Sequence, residues 1–248
     1  MNQIKQTAIS FVYGLGQSLW VIFGFGVAAY LAVLALHDLI VANPTRLDLI
    51  FSANALGYFL AVIIVVGVAA MITRESWSAT KRLLALNPAK WTKYLKVLAV
   101  FGAYIIVSQI IYFVVDIVLS DIINLNQKQN LGFTADSLVQ PYQYVLAFFM
   151  LVILPPVFEE ILFRGYLFGR LMQKMGFIAS AIVTSFVFGL VHFNWSVSID
   201  VFVLSLFLCY LRRDSDSIVP GMLLHGLKNG LAYFLLFIAP LLGIHLVK

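Results

Sequence analysis

The sequence predicts an all-α fold, a polytopic transmembrane helical bundle with about seven to eight spans. Three observations predict it. Of 248 residues, 62% are hydrophobic and only 11% charged, whereas an average soluble domain carries roughly 25% charged residues. The apolar residues fall in continuous runs near the ~20 residues that cross a bilayer core as helix. Those runs lack the strict alternation of a membrane-spanning strand. The same composition excludes a soluble globular domain and a disordered chain. The single cysteine, Cys209, excludes a disulfide-stapled module.

In chain order the runs extend over residues 9–36, 50–72, 95–119, 142–170 and 176–193, with a shorter one over 196–211. The last, 218–247, is interrupted by Pro240, and a fold-back at Ala239-Pro240 would make an eighth span. The first run is too long for the apolar core of a signal peptide.

Charge between the runs sets the expected topology. Residues 73–96 carry Arg74, Lys81, Arg82, Lys90, Lys93 and Lys96 against Glu75 alone. Arg170 with Lys174, and Arg212 with Arg213, mark two further basic turns. The alternate loops hold one basic residue each, Arg46 and Lys128, beside acids such as Asp38, Asp48, Asp121 and Asp136. Lys and Arg collect on the cytoplasmic side of helical membrane proteins. The N-terminus and the three basic turns are therefore expected in the cytoplasm, in a multi-pass protein of the cell membrane. The net charge of +5 follows from that bias, and no basic tract with interleaved aromatics points to nucleic acid. Residues 77–93, with Trp77, Leu83, Leu84, Leu86 and Trp91, read as an interfacial segment lying on the bilayer.

Ionisable groups at membrane depth cost ~2.5–3.5 kcal/mol each on insertion scales. They persist when paired, when they line a wet cavity, or when they do chemistry. Glu159, Glu160, Arg164, His192 and His225 cluster in the second half, with Lys228 nearby. Pro155-Pro156 breaks an apolar run, and a new helical stretch then begins with the two glutamates. Acids suit a helix N-terminus, and Glu160 and Arg164 stand at i, i+4 as an ion pair requires. Helix neighbours point ~100° apart, so Arg164 neutralises one carboxylate and leaves Glu159 free. His192 ends its apolar run after Phe188. His225 and Asn229 share one helix face at i, i+4. A hairpin turning at residues 170–176 returns Glu159 and His192 to similar depth, ~16 residues and ~24 Å from the turn. Asp116 and Asp200 fall near expected span ends without a legible partner.

These residue types can activate water. A buried glutamate beside a histidine is a candidate general base for amide hydrolysis. A second histidine and an asparagine can donate to a developing oxyanion. Equally, Glu159, His192 and His225 can hold Zn²⁺ with water at a fourth position. No GxSxG elbow, HExxH or phosphate-binding glycine loop occurs. The residues do not separate the metal from the metal-free route.

Glu159-Glu160-x-x-x-Arg164, Phe188-x-x-x-His192 and His225-x-x-x-Asn229, in that order, resemble the motifs of the CPBP intramembrane protease family. That family includes type II CAAX prenyl endopeptidases and proteins linked to bacteriocin self-immunity. The resemblance spans approximately residues 142–233 and divides the chain into N-terminal membrane spans, 1–141, and a CPBP-like catalytic core, 142–248. It implies peptide-bond hydrolysis within a membrane cavity, on a peptide or membrane-protein substrate. Glu159 and His192 would activate the water, and His225 and Asn229 would stabilise the oxyanion. Glu160, Arg164 and Phe188 would shape the site. Two other readings of the cluster are a non-catalytic, peptide-binding immunity protein and a proton-coupled carrier. No inverted repeat supports the carrier.

Overall fold

The computed structural model describes residues 2–43, 46–119, 125, 131 and 133–244. Asp121 and Lys128 lie outside the described residues. Among the described residues eight helices follow one another: α1 (Asn2–Ala42), α2 (Leu47–Thr73), α3 (Trp77–Leu84), α4 (Trp91–Leu119), α5 (Pro141–Met172), α6 (Phe177–Leu190), α7 (Trp195–Ser215) and α8 (Val219–Ile238). There is no strand among the described residues. Among the described residues six helices, all but α3 and α6, are long and apolar enough to cross a membrane. The chain is a multi-pass membrane protein.

The span count departs from the sequence reading at two places. α6 has 14 residues, ~21 Å at ~1.5 Å per residue, which is short of a ~30 Å core. Its apolar run continues to Phe193, but Phe193 adopts φ 51° and Asn194 caps α7 by accepting from the Val197 N–H at 3.2 Å. A left-handed residue and a cap end the helix where hydropathy alone would extend it. After α8, Pro240–Leu242 forms one 3₁₀ turn, so no eighth span follows within the described residues.

Most spans carry apolar side chains on their outer faces, as lipid-facing helices do. Phe11, Phe113 and Ile178 are each about two-thirds exposed or more. Buried packing concentrates around α5. α1 packs along α2, and α7 packs against α4, α6 and α8. The short α3 begins at Ser76, whose Oγ accepts from the Ala79 N–H at 3.3 Å, and it lies against the second half of α5. Gly165 and Gly169 permit that approach. A Cβ at Gly165 would stand 3.1–3.3 Å from Leu84, and one at Gly169 would stand 3.0 Å from the Leu83 carbonyl oxygen. Trp77 and Trp91, at the two ends of this segment, are 68% and 69% exposed, as interfacial anchors should be.

α5 is not a regular helix. π-helical turns occupy Phe149–Ile153 and Glu160–Leu167, on either side of Pro155-Pro156. Proline has no N–H to donate. The Leu151 carbonyl therefore lacks both its α-helical donor at position 155 and its π-helical donor at position 156. This break fixes where the glutamates fall and exposes a backbone acceptor inside the bundle.

Candidate active site

The break in α5 places Glu159 and Glu160 in one turn, and their side chains part. Glu160 is fully buried, as is Arg164, and its Oε1 lies 3.1 Å from Arg164 Nη1. None of the three Arg164 nitrogens makes a well-directed hydrogen bond, so the contact is off-axis and mainly electrostatic. The guanidinium also lies over the Phe188 ring, 4.3 Å from its centroid. A sealed ion pair with poor hydrogen bonding is weak as a stabilising device.

His225 sits between the two carboxylates. Its Nδ1 is 3.2 Å from Glu160 Oε1, and its Nε2 is 3.9 Å from Glu159 Oε2. The Arg164–Glu160–His225 chain thus orients the ring and turns Nε2 toward Glu159. His192 is fixed differently. Its Nδ1–H donates to the Phe188 carbonyl at 2.7 Å, which leaves Nε2 with its lone pair. Phe188 is the hub of this arrangement, since its ring meets His192 at 5.0 Å and His225 at 5.9 Å, both edge-on.

Glu159 is 8% exposed and opens onto a cavity of about 410 Å³, whose lining includes His192, His225, Lys228 and Asn229. Its partner comes from outside the sequence motifs. Tyr58 of α2 donates its hydroxyl to Glu159 Oε1 at 2.7 Å, and the Tyr58 ring stacks on Phe158 at 5.7 Å. One carboxylate oxygen is thereby held, and the other faces His225 and the cavity. Sequence reasoning missed Tyr58, because a tyrosine inside an apolar run carries no signature of a partner 101 residues away.

Asn229 lines the cavity, but its Nδ2 donates to the Leu151 carbonyl at 2.9 Å. That is the acceptor orphaned by the double proline. One N–H of the amide proposed for the oxyanion is thus committed to the backbone. Lys228 pairs with Asp200 at 3.2 Å. Asp200 also accepts from Tyr104 at 2.6 Å and Ser108 at 2.7 Å. This network ties α4, α7 and α8 together, gives Asp200 its partners, and spends part of the Lys228 charge away from Glu159.

Glu159, His192 and His225 share the cavity, yet no three His, Cys, Asp or Glu side chains among the described residues converge as a metal-ligand set. One carboxylate and two imidazoles on one cavity remain a donor set of the kind zinc takes, although the three are not drawn together into a ligand shell in this structure.

Residues 141–231 match the family model described as Type II CAAX prenyl endopeptidase Rce1-like. The matched segment contains every residue of the three motifs and excludes Tyr58, Tyr104 and Ser108. No curated protein and no solved structure matches the chain at a significant level.

Proposed function

We propose, with the Rce1-like match over residues 141–231 as premise, that this chain is an intramembrane endopeptidase acting on a peptide or membrane protein. The observation that carries the reading is the buried Glu159, held by Tyr58 at 2.7 Å on one oxygen and left without a cationic neutraliser by the Glu160–Arg164 pair. A carboxylate in that setting can take a proton from water.

The chemistry runs on the chain's own groups. Water lodges between Glu159 Oε2 and His192 Nε2 and gives its proton to Glu159 as it attacks the scissile carbonyl. As an imidazolium, with Nδ1–H on Glu160, His225 donates its Nε2–H to the oxyanion that develops, beside the second N–H of Asn229. The C–N bond then breaks, and Glu159 returns the proton to the departing amine. Burial excludes bulk water and strengthens each of these interactions.

The test is cleavage of C-terminal peptides, prenylated and unprenylated, by the purified protein in lipid. Glu159→Gln and His192→Ala should each lower the rate by ~10²–10⁴-fold, the usual worth of a positioned acid–base group, without loss of folded protein. Wild-type rates in both variants would overturn the assignment of the base. Cleavage that ceases with chelator and returns with zinc would overturn the metal-free route.

A further inference from the structure

A second cavity, of about 510 Å³, lies away from the catalytic one, where α3 meets the ends of α5 and α7. Its lining includes Arg82 of α3, Arg212 and Arg213 of α7, Leu83, Gly169 and Asp216. Its depth in the membrane follows from the elements that build it. The spans of α5 and α7 end at Met172 and Ser215, and α3 lies between the end of α2 and the start of α4. Trp77 and Trp91 flank that segment, both largely exposed, at the level where aromatic residues meet headgroups.

The charges in this region do not cancel. Arg170 is paired with Glu75, and Lys93 and Lys96 both reach Asp214, at 3.0 and 3.1 Å. Arg212 reaches Asp216 at 2.9 Å, while its Nε is buried with no hydrogen-bond partner. Among the described residues, Arg82 and Arg213 have no carboxylate partner. Three guanidiniums thus face one cavity against one acid, although acids are available nearby and are used by other cations.

The geometry suits an oxyanion. The Arg213 guanidinium lies over the Phe177 ring, 4.4 Å from its centroid. Stacking engages the flat face and leaves the edge N–H groups free. Edge N–H groups are what bind phosphate oxygens in pairs. Leu83 and the neighbouring Phe168 supply an apolar wall on the membrane side.

We propose that this cavity binds the phosphodiester headgroup of an anionic phospholipid, with Arg82, Arg212 and Arg213 around the phosphate and the acyl chains leaving along α5 and α7. Basic pockets between transmembrane helices at the headgroup level recognise lipid in this way. The lipid would bridge α3 to α7 and press α3 onto the glycine face of α5, the helix that carries Glu159. The site is independent of the proposed proteolysis.

Native mass spectrometry of the full chain in detergent, titrated with phosphatidylglycerol or phosphatidylcholine, tests the proposal. Wild type should hold one phosphatidylglycerol more tightly than any phosphatidylcholine. Each arginine removed should weaken that adduct roughly 5-fold, as the loss of one headgroup-level charge predicts. Arg82→Gln with Arg213→Gln should therefore lose it, while Lys90→Gln with Lys174→Gln, which removes the same charge from exposed positions outside the cavity, should keep it. Asp216→Asn suits the left-handed backbone at φ 49°, removes the one acid, and should tighten binding. Equal loss in both double variants, or equal binding of the two lipids, would overturn the proposal. So would full competition by inorganic phosphate, which would make the ligand a free anion.

Discussion

Glu159 and Glu160 are neighbours in the chain, yet they belong to two regions with opposite physics. Around Glu160 everything is closed: the carboxylate and Arg164 are fully buried, and the Phe188 ring covers the guanidinium at 4.3 Å. Around Glu159 the structure is held on one side and open on the other, with Tyr58 at 2.7 Å on Oε1 and the cavity beyond Oε2. A charge that is sealed and paired can orient its neighbours but cannot exchange a proton with substrate. A charge that is held by a neutral donor can. The comparison teaches that the ion pair occupies the arginine, which would otherwise neutralise Glu159, the proposed base.

The sharpest way to break the comparison is to neutralise each carboxylate alone. Glu159→Gln should cost ~10²–10⁴-fold in cleavage with thermal stability unchanged or raised, because a buried charge disappears. Glu160→Gln should do the reverse in kind. It leaves Arg164 charged and unpaired in the interior, a loss of ~3–5 kcal/mol, visible as a lowered Tm and a smaller folded yield. Activity per folded molecule should fall much less, since the glutamine oxygen still accepts from His225 Nδ1.

A smaller effect sharpens the open side. Tyr58→Phe deletes one hydrogen bond to a charged group, worth ~1.5–3 kcal/mol. It should lower kcat roughly 10–100-fold at ~1.4 kcal/mol per decade, with KM close to wild type and only a few degrees lost from Tm. Loss of Tm with kcat unchanged would make Tyr58 a packing residue only. The smallest effect separates two uses of Asn229. Asn229→Ala leaves the Leu151 carbonyl without a donor, at a cost of ~1–3 kcal/mol read in thermal unfolding. A fall in cleavage at constant Tm would instead assign that amide to the oxyanion alone.

The parts of this picture legible in the sequence are those that rest on local pattern. Six of the seven apolar runs are helices long enough to span, and the Glu160–Arg164 contact followed from i, i+4 spacing. α6 was overextended because hydropathy does not register a left-handed Phe193 or an Asn194 cap. The role of Asn229 was half legible: Pro155-Pro156 announces an orphaned carbonyl, but not which side chain will reach it. Tyr58, and the pairing of Lys228 with Asp200, were not legible, since each depends on helices meeting across the bundle. The N-terminal half looked like plain apolar spans, and it supplies the donor that holds Glu159.

The most direct test of the central claim crosses Glu159→Gln with the double replacement Glu160→Gln/Arg164→Met, with cleavage measured per folded molecule. The double variant removes the buried pair as a unit, which replacement by neutral residues can leave neutral or stabilising. The account predicts a folded and inactive Glu159→Gln protein, and a folded double variant that still cleaves. Cleavage that survives Glu159→Gln but vanishes from the folded double variant would show that the sealed pair, and not the open carboxylate, does the chemistry.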